Sequence, residues 1–333
     1  MSKRLTSHDI ARLAGLSQST VSRVLRKHPS VRPATRERVM AVIDKHEYLP
    51  SAAARLMKTN RSGTIAVVVE NLANPLYPLL LQQLVDRLSQ QGLRATVWEL
   101  DGPMDEATTR SIAQSPVDGV IFATATDDTL PQLERIAADK PVILINRSVR
   151  TQAFDTVVSD NAAGGAAVAR YFLSAGRRRL GLLSSRSPAS TIREREEGFL
   201  AALAGQGAAQ ACTRGPLAFG AFSYDSGHRA IQALLAEDPA IDSVFCTNDI
   251  IAIGALDGAR ALGRRVPEDL WLVGYDDIPM ARWDCIALST VRQPLAEMSA
   301  AAVERLLARI ADPSLAPRRW LLPNELLLRR TTN

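Results

Sequence analysis

The chain has 333 residues, of which 46% are hydrophobic and 23% are charged, with a net charge of +5. This length accommodates two or three domains, and this composition is typical of a soluble globular protein. No apolar run approaches the roughly 18 residues of a membrane span, and no apolar core follows the basic start MSKR, so we expect a cytoplasmic protein without a secretory signal.

The cysteines give no sign of a disulfide framework or a metal site. Cys212, Cys246 and Cys285 are an odd number and show no C-x-x-C spacing. Such usage is typical of reduced thiols in the cytosol, so we predict no disulfide, no metal ion and no cofactor.

The net charge is distributed unevenly along the chain. Residues 1–62 carry 13 Lys/Arg and 4 Asp/Glu, a net charge of +9, whereas the remainder has a net charge of −4. A small basic module joined to a mildly acidic body indicates a polyanionic partner for the front end. The alternative is a solvated basic surface without a partner.

The segment LTSHDIARLAGLSQSTVSRVLRK, residues 5–27, has the pattern of a helix-turn-helix. Thr6 and Asp9 form an acidic variant of the capping box for a first helix, and Gly15 fits the turn that ends it. Ser17 is placed to cap a second helix, whose outer face is short, polar and basic. That face suits base edges in a major groove, although an ordinary helical hairpin would show a similar pattern. A third helix is predicted over 34–45, with Arg36 and Arg38 pointing outward.

The motifs DIARLAGLSQSTVSRVL and VRPATRERVMAVIDKHEYLPSAAARLM resemble the headpiece of the lactose/galactose/purine-repressor (LacI/GalR) family of bacterial regulators. The resemblance implies a recognition helix that reads bases through Gln18, Ser19 and Arg23. Gln18 departs from the aromatic residue of some members, so the operator sequence does not carry over. The residues that we expect to contact DNA are Thr6, Gln18, Ser19, Thr20, Ser22, Arg23, Tyr48, Ala54, Met57 and Lys58.

The stretch PSAAARLMKTNRSG, residues 50–63, is rich in helix formers but too short to stay helical alone. The resemblance implies a hinge helix that forms only on operator DNA, where two copies lie side by side in the minor groove. Small residues such as Ala54 allow that close approach. Met57 matches the family's wedge leucine and would pry apart a base step, or Leu56 would do so if the register differs by one. The alternative is a plain flexible tether.

From Thr64 the sequence alternates short apolar runs with amphipathic segments, which predicts parallel sheets covered by helices on both faces. Strands are predicted at 64–69, 95–100, 117–123, 141–146, 179–184, 243–247 and 270–275. Helices are predicted at 78–91, 161–175, 192–206, 224–236 and 249–262. Seven strands exceed what one half of a doubly wound fold requires, so we expect two similar lobes.

The predicted fold is an N-terminal all-α helix-turn-helix headpiece followed by a two-lobed α/β effector domain, which the resemblance identifies as periplasmic-binding-protein-like (type I). The expected ranges are 1–50 for the headpiece and 51–62 for the hinge helix and linker. The effector and dimerisation domain is expected over 63–333. Its N-lobe would comprise 63–159 and 293–320, and its C-lobe 160–290 and 321–333, with crossings near 159–161, 290–293 and 320–324.

The resemblance also implies which residues line an effector cleft beyond the carboxyl ends of the strands. NPLY at 74–77 matches an aromatic motif, NR at 146–147 replaces the commoner Asp-Arg, and IREREEGF at 192–199 contains the clamping arginine. The expected ligand-binding residues are Leu76, Tyr77, Asn146, Arg147, Arg193, Arg195, Phe222, Asn248 and Asp276. Each has an ordinary structural alternative: the aromatics could be core, the arginines surface ion pairs, and Asn248 and Asp276 helix caps.

We therefore predict a homodimeric transcriptional repressor of double-stranded operator DNA, controlled by a small polar metabolite. The expected metabolite is a sugar or a sugar acid, and Arg193 and Arg195 together suggest an anionic ligand such as a sugar acid. The sequence leaves open whether the effector loosens or tightens operator binding. The end of the chain shows no heptad repeat, which favours a dimer over a coiled-coil tetramer.

Three other functions are weighed against this prediction. No G-x-S-x-G, H-E-x-x-H or nucleotide-binding motif is present, and His228 is the one histidine outside the headpiece, so we expect no enzyme activity. An exported sugar-binding protein would lack the basic front end and carry a signal peptide. An architectural DNA binder would have a body that responds to no ligand.

Overall fold

The computed structural model describes residues 5–25, 28–46, 61–215 and 223–332. The chain divides into two compact units, residues 1–62 and residues 63–333. Tyr48, Phe222 and the predicted hinge helix with Ala54, Met57 and Lys58 lie outside the described residues.

Three short helices form the N-terminal unit: α1 (Ser7–Ala14), α2 (Gln18–Leu25) and α3 (Pro33–Lys45). The predicted capping box is confirmed, because Asp9 N donates to Thr6 Oγ1 and Thr6 N donates to Asp9 Oδ2 at 2.9 Å. Gly15 has a left-handed backbone, with φ of 59°, and ends α1 as the sequence predicts. Apolar side chains from all three helices close a small core.

Arg38 on α3 is exposed, as predicted, but its side chain also contacts the end of α1. Its Nε donates to the Ala14 carbonyl at 2.8 Å, and its Nη2 donates to the Gly15 carbonyl at 3.0 Å. These carbonyls have no partner within α1 because they lie at its C-terminal end. The guanidinium therefore caps α1 and ties α3 to the turn.

The second unit contains two six-stranded sheets. The first has the order β11-β5-β4-β3-β1-β2, with all pairs parallel. Its strands are β1 (Thr64–Glu70), β2 (Arg94–Leu100), β3 (Gly119–Phe122), β4 (Val142–Ile145), β5 (Asp155–Ser159) and β11 (Arg319–Leu322).

The second sheet has the order β12-β10-β9-β8-β6-β7, in which only the β10–β12 pair is antiparallel. Its strands are β6 (Leu180–Leu183), β7 (Cys212–Arg214), β8 (Ser243–Cys246), β9 (Trp271–Asp276), β10 (Ser289–Arg292) and β12 (Glu325–Leu327). All seven predicted strands are present, with ends shifted by at most two residues, and the two-lobed α/β fold is confirmed.

Helices cover the sheets, as their apolar strands require. In the first lobe these are α4 (Leu76–Gln90), α5 (Glu106–Gln114), α6 (Leu130–Ala137) and α11 (Leu295–Ala311). In the second they are α7 (Asn161–Ser174), α8 (Ser190–Gly205), α9 (Tyr224–Glu237) and α10 (Asp249–Ala261). We call the first lobe the N-lobe and the second lobe the C-lobe.

The chain passes between the sheets three times: after β5, after β10 and between β11 and β12. Two expected lobe boundaries differ from these positions. β10 stays in the C-lobe sheet to Arg292, and β11 stays in the N-lobe sheet to Leu322, because each continues its ladder with a parallel neighbour.

Helices α7 and α8 approach each other unusually closely. A Cβ atom at Gly165 would lie 2.0 Å from the Arg195 carbonyl oxygen, and one at Gly198 would lie 2.0 Å from that of Ala162. Only glycine permits this spacing. The two glycines therefore decide how deep α8 sits, and with it the position of Arg195.

We expect Gly198→Ala to lower the free energy of unfolding by about 1–3 kcal/mol, because the new methyl must push two backbones apart. The matched control is Gly205→Ala in the same helix, where a Cβ meets no atom within 4 Å. Urea unfolding of both variants measures the difference. Equal midpoints for the two variants would show that the helices are not packed at glycine distance.

Candidate functional site

The outer face of α2 carries the residues that were predicted to read DNA. Gln18, Ser19 and Arg23 are exposed, whereas Val21 and Val24 are buried against the other helices. This division follows from 3.6 residues per turn, with apolar positions three apart facing inward. The face is therefore available to a groove of DNA.

Hydrogen bonds organise the first turn of α2. Thr20 N donates to Ser17 Oγ at 3.2 Å, so Ser17 caps the helix as predicted. The hydroxyls of Ser19 and Thr20 each lie 2.8 Å from Ser17 Oγ, and Gln18 Nε2 donates to Ser7 Oγ at 3.2 Å. Gln18 and Ser19, two of the side chains that were predicted to reach bases, are thus held by hydrogen bonds within the headpiece.

Thr6 and Ser22 were also expected to contact DNA, and both lie among the described residues of the headpiece. Thr6 Oγ1 donates to Asp9 Oδ2 at 2.7 Å, so Thr6 belongs to the capping box of α1. Ser22 is half-buried on α2. Both lie in the same three-helix unit as Gln18 and Arg23.

In the body, four residues that were predicted to bind a ligand lie where strands of the N-lobe end. Leu76 and Tyr77 begin α4 and are buried, and Asn146 and Arg147 directly follow β4. Because the carboxyl ends of parallel strands share one edge of a sheet, these residues line one wall. Asn146 has φ of 68°, a left-handed conformation that asparagine tolerates.

Charged residues of both lobes influence the pKa of the Tyr77 hydroxyl. Burial raises its pKa to about 12, Arg147 and Arg195 oppose that rise, and Glu70 and Asp276 add to it. Arg147 and Glu70 belong to the N-lobe, and Arg195 and Asp276 to the C-lobe. Tyr77 therefore lies between the lobes and stays neutral at physiological pH.

Arg195 lies at the floor of the cleft, on the C-lobe side, and each of its three side-chain nitrogens has a partner. Nε donates to Asn161 Oδ1 at 2.9 Å, Nη1 donates to the Thr247 carbonyl at 2.8 Å, and Nη2 lies 3.0 Å from Asp276 Oδ1. The guanidinium also lies over the Tyr275 ring, 3.7 Å from its centroid. It is a fixed, paired cation.

Asp276 continues this network into the connection between the lobes. Gln293 Nε2 donates to its Oδ1 at 2.8 Å, and Ser159 Oγ donates to Gln293 Oε1 at 2.8 Å. Burial raises the pKa of Asp276, while Arg195 and the Gln293 hydrogen bond counteract that rise. Ser159 and Gln293 lie at two of the three crossings.

Asn248 takes the structural role that was kept as its alternative. Its Oδ1 accepts from Ile251 N at 2.9 Å, which caps α10. The residue directly follows β8 and is buried, so the cap also holds the amide at the strand ends.

Arg193 is not with the other predicted ligand-binding residues. It lines a groove of about 390 Å³ on the C-lobe together with Glu196, Glu197 and Arg214. Arg193 and Arg195 are two positions apart on α8, so their side chains leave opposite sides of the helix.

Four buried polar atoms at the strand ends have no hydrogen-bond partner within the described ranges: Thr124 Oγ1, Asn146 Oδ1, Arg147 Nε and Thr247 Oγ1. Buried polar groups are normally paired, and leaving one unpaired costs about 1–3 kcal/mol. The two threonine hydroxyls can donate or accept, Asn146 Oδ1 accepts, and Arg147 Nε donates. Such a mixed set suits the hydroxyl groups of a ligand.

Sequence reasoning missed Glu70, Thr124, Thr247, Tyr275 and Gln293. Thr124 and Thr247 follow strands β3 and β8, which is a signal that could have found them. Glu70 ends β1 and had no recognisable motif. The described residues contain no cluster of His, Cys, Asp and Glu placed to bind a metal ion. Within the same ranges, no helix has the length and apolarity of a membrane crossing.

Two family models match the chain. The model described as bacterial regulatory proteins, lacI family, matches residues 6–51. The model described as periplasmic binding protein-like domain matches residues 169–332. The first covers the three helices of the headpiece, and the second covers most of the C-lobe.

Similar proteins span the whole chain. The ribose operon repressor of Halalkalibacterium halodurans is 30% identical over 329 residues, covering 98% of this chain and 97% of that protein. The HTH-type transcriptional repressor PurR of Photobacterium profundum is 29% identical over 329 residues and 98% of each chain.

Solved structures of similar proteins also span almost the whole chain. A complex of the transcriptional regulator CelR with cellobiose has a TM-score of 0.73 and 31% identity, over 98% of this chain and 100% of that one. The Lac repressor bound to ONPG in the repressed state has a TM-score of 0.88 and 25% identity, over 99% and 100%.

Asp249 gives a pH-dependent test of the cleft floor. It is fully buried, accepts from Ile278 N at 2.9 Å and from Thr290 Oγ1 at 2.5 Å, and burial together with Asp276 raises its pKa well above the usual range. The native state therefore keeps a proton that the unfolded chain releases above about pH 3.9. Stability must fall as pH rises through this window, by at most about 1.4 kcal/mol per pH unit.

We expect the wild-type free energy of unfolding to fall relative to that of Asp249→Asn between pH 5 and pH 7, measured in urea. Asp105→Asn is the control, because the backbone amide of Thr108 holds the pKa of the exposed Asp105 below its usual range. Its difference from wild type should be flat over these pH values. A flat difference for Asp249→Asn as well would mean that Asp249 is ionised in the folded protein.

Proposed function

The chain belongs to the LacI family of bacterial regulatory proteins, and we propose that it is a homodimeric, cytoplasmic repressor controlled by a small polyhydroxy metabolite. The observation that carries the effector part is the set of unpartnered polar atoms beside the buried Arg195–Asp276 pair. One similar protein is named as a ribose operon repressor, and one similar solved structure is a complex with cellobiose. A sugar is therefore the first effector class to test.

Operator recognition is assigned to the exposed face of α2. Arginine donates to guanine and glutamine pairs with adenine in the major groove, so Arg23 and Gln18 have the chemistry to read bases. Thr6, Ser19, Thr20 and Ser22 would position the helix on the sugar–phosphate backbone. Tyr48, Ala54, Met57 and Lys58 are proposed contacts of the segment that leads to the minor groove.

Effector binding is assigned to the walls described above. Leu76 and Tyr77 would pack against the ligand, and Asn146, Arg147 and Thr124 would meet its hydroxyls from the N-lobe side. Asn248, Thr247 and Asp276 would meet them from the C-lobe side. Phe222 keeps its predicted role as a stacking aromatic, and Arg193 is left out because it lines another groove.

The lobes are in contact across the cleft. Ser148 N, which follows β4 in the N-lobe, donates to Ser190 Oγ at the start of α8 at 2.9 Å. Arg319 Nη2 on β11 lies 3.7 Å from Glu194 Oε1 on α8. A ligand that changes these contacts would change the lobe arrangement, and hence the spacing of two paired headpieces. It acts as a co-repressor if it favours the operator-bound spacing and as an inducer if it favours another.

A dimer is proposed because one helix-turn-helix reads too few base pairs, whereas paired headpieces read a near-palindrome. The body leaves large apolar side chains exposed, among them Val85 on α4, Val97 on the edge strand β2, and Trp283. Such side chains are available to a second copy. We propose a regulatory rather than a catalytic role because the similar proteins are transcriptional regulators.

An operator selected from a random duplex pool tests the DNA-binding part. We expect a near-palindromic sequence, and Gln18→Ala should weaken binding to each half-site by about 1–3 kcal/mol and relax the preference at one base pair. Gln114→Ala, at an exposed glutamine on α5, is the control and should bind as wild type does. Unchanged affinity and base preference for Gln18→Ala would remove Gln18 from the recognition surface.

The effector part is tested by a thermal-shift panel of sugars, followed by operator titrations with and without the stabilising sugar. We expect operator affinity to change by about five- to 150-fold, the usual range of allosteric coupling. A stabilising sugar that leaves operator affinity unchanged would contradict effector control.

A further inference from the structure

Glu70 and Arg147 form a partly buried contact in the N-lobe wall that no sequence motif indicated, with the Glu70 side chain 34% exposed. Glu70 ends β1, and Arg147 follows β4 with a side chain that is only 4% exposed. Arg147 Nη2 donates to Glu70 Oε1. We propose that Glu70 is a specificity-determining residue: it neutralises Arg147 and thereby reserves the cleft for an uncharged polyhydroxy effector. The proposal rests on the effector role given above.

The contact reaches across three strand ends. In the sheet, β4 and β1 are separated by β3, so their ends are about 9.6 Å apart. Arg147 spans this distance, and its Nη1 donates on the way to the Thr124 carbonyl beyond β3, at 3.4 Å. A shorter cation could not reach both partners. Glu70 therefore fixes the guanidinium in the plane of the wall.

One nitrogen of Arg147 is left without a partner, while the charge of its guanidinium is balanced. Arg147 Nε is buried and has no hydrogen-bond partner among the described residues. It can therefore donate to a ligand oxygen while the charge of the guanidinium is balanced by Glu70. Arg147 acts toward a ligand as a neutral donor, which suits a hydroxyl and gives a carboxylate no net attraction.

The opposite wall has the same balance. Arg195 is paired with Asp276, and all three of its nitrogens are engaged. Together the two walls contribute two cations and two anions.

Positive charges next to the cleft are also occupied. A neighbouring groove of about 530 Å³ is lined by Arg282 and Arg292, and both contact Asp277, at 2.7 and 2.8 Å. Arg193 lies in the other groove with Glu196 and Glu197. Among the described residues, the arginines of the two walls and of the 530 Å³ groove are thus all paired with carboxylates, which disfavours a sugar acid at this site.

Removing the Glu70 charge should convert the wall into an anion site. In Glu70→Gln the side chain keeps its shape and can still accept from Arg147, but the guanidinium charge becomes unbalanced. An unbalanced buried charge is unfavourable and recruits a counter-ion. Sulfate and glucuronate are suitable probes, because each offers oxygens that arginine binds well.

The test is calorimetric titration of the full chain with sulfate and with glucuronate, at constant ionic strength. We expect Glu70→Gln to bind at least one of these anions about tenfold or more tightly than wild type does. Adding Arg147→Met to Glu70→Gln should abolish the gain. Glu99→Gln, at an exposed glutamate on the adjacent strand β2, makes the same change in net charge and should bind anions as wild type does.

The proposal is overturned if wild type binds these anions as tightly as Glu70→Gln, or if the gain survives Arg147→Met. If Glu70→Gln does not fold, Arg147→Gln replaces it. That variant leaves Glu70 unbalanced and should bind protonated glucosamine about tenfold more tightly than wild type, and an unchanged affinity would again overturn the proposal. Operator affinity plays no part in these titrations, so failure of effector control would be seen separately.

Discussion

The structure of the body depends on one buried ion pair, Arg195 with Asp276. Two charges taken out of water cost several kcal/mol each, so the pair is stable only if its remaining hydrogen-bonding groups are satisfied. Asn161, the Thr247 carbonyl, Gln293 and the face of Tyr275 do this. The glycines of α7 and α8 bring α8 close enough for Arg195 to reach them. Packing and electrostatics therefore fix the same side chain.

The same network reaches the segments that join the lobes. Ser159 and Gln293 lie at the first two crossings and are hydrogen-bonded to each other. At the third, Asn324 Nδ2 donates to the Tyr275 hydroxyl at 2.6 Å and to the Asp160 carbonyl at 2.7 Å. A ligand that touches the cleft floor is thus one or two hydrogen bonds away from all three crossings. Ligand contacts at the cleft floor are thereby connected to the segments that set the lobe arrangement.

Sequence patterns predicted the strands that are apolar runs but missed β5, β7, β10, β11 and β12. Two of these, β5 (DTVVS) and β10 (STVR), are buried inside their sheets, but their runs contain polar residues. Runs such as TIAVVV are apolar on both faces, whereas β11 and β12 alternate or are short and exposed, and β7 has three residues. Arg195, Asp276 and Asn248 were located by resemblance, and the structure adds their partners. Glu70 could not be found in this way. Its partner is 77 positions away, and the contact depends on the order of strands in the sheet. The capping role of Arg38 was missed for the same reason, since its acceptors lie at the end of another helix.

We expect the hydrogen bonds of Gln293 to connect the cleft floor to operator affinity. The most direct measurement is the operator dissociation constant with and without a saturating effector, in wild type and in Gln293→Ala. We expect wild type to show a coupling of about fivefold or more, and the variant to lose most of it while binding operator alone within about threefold of wild type. A variant that folds, binds both ligands and retains the full coupling would contradict the account.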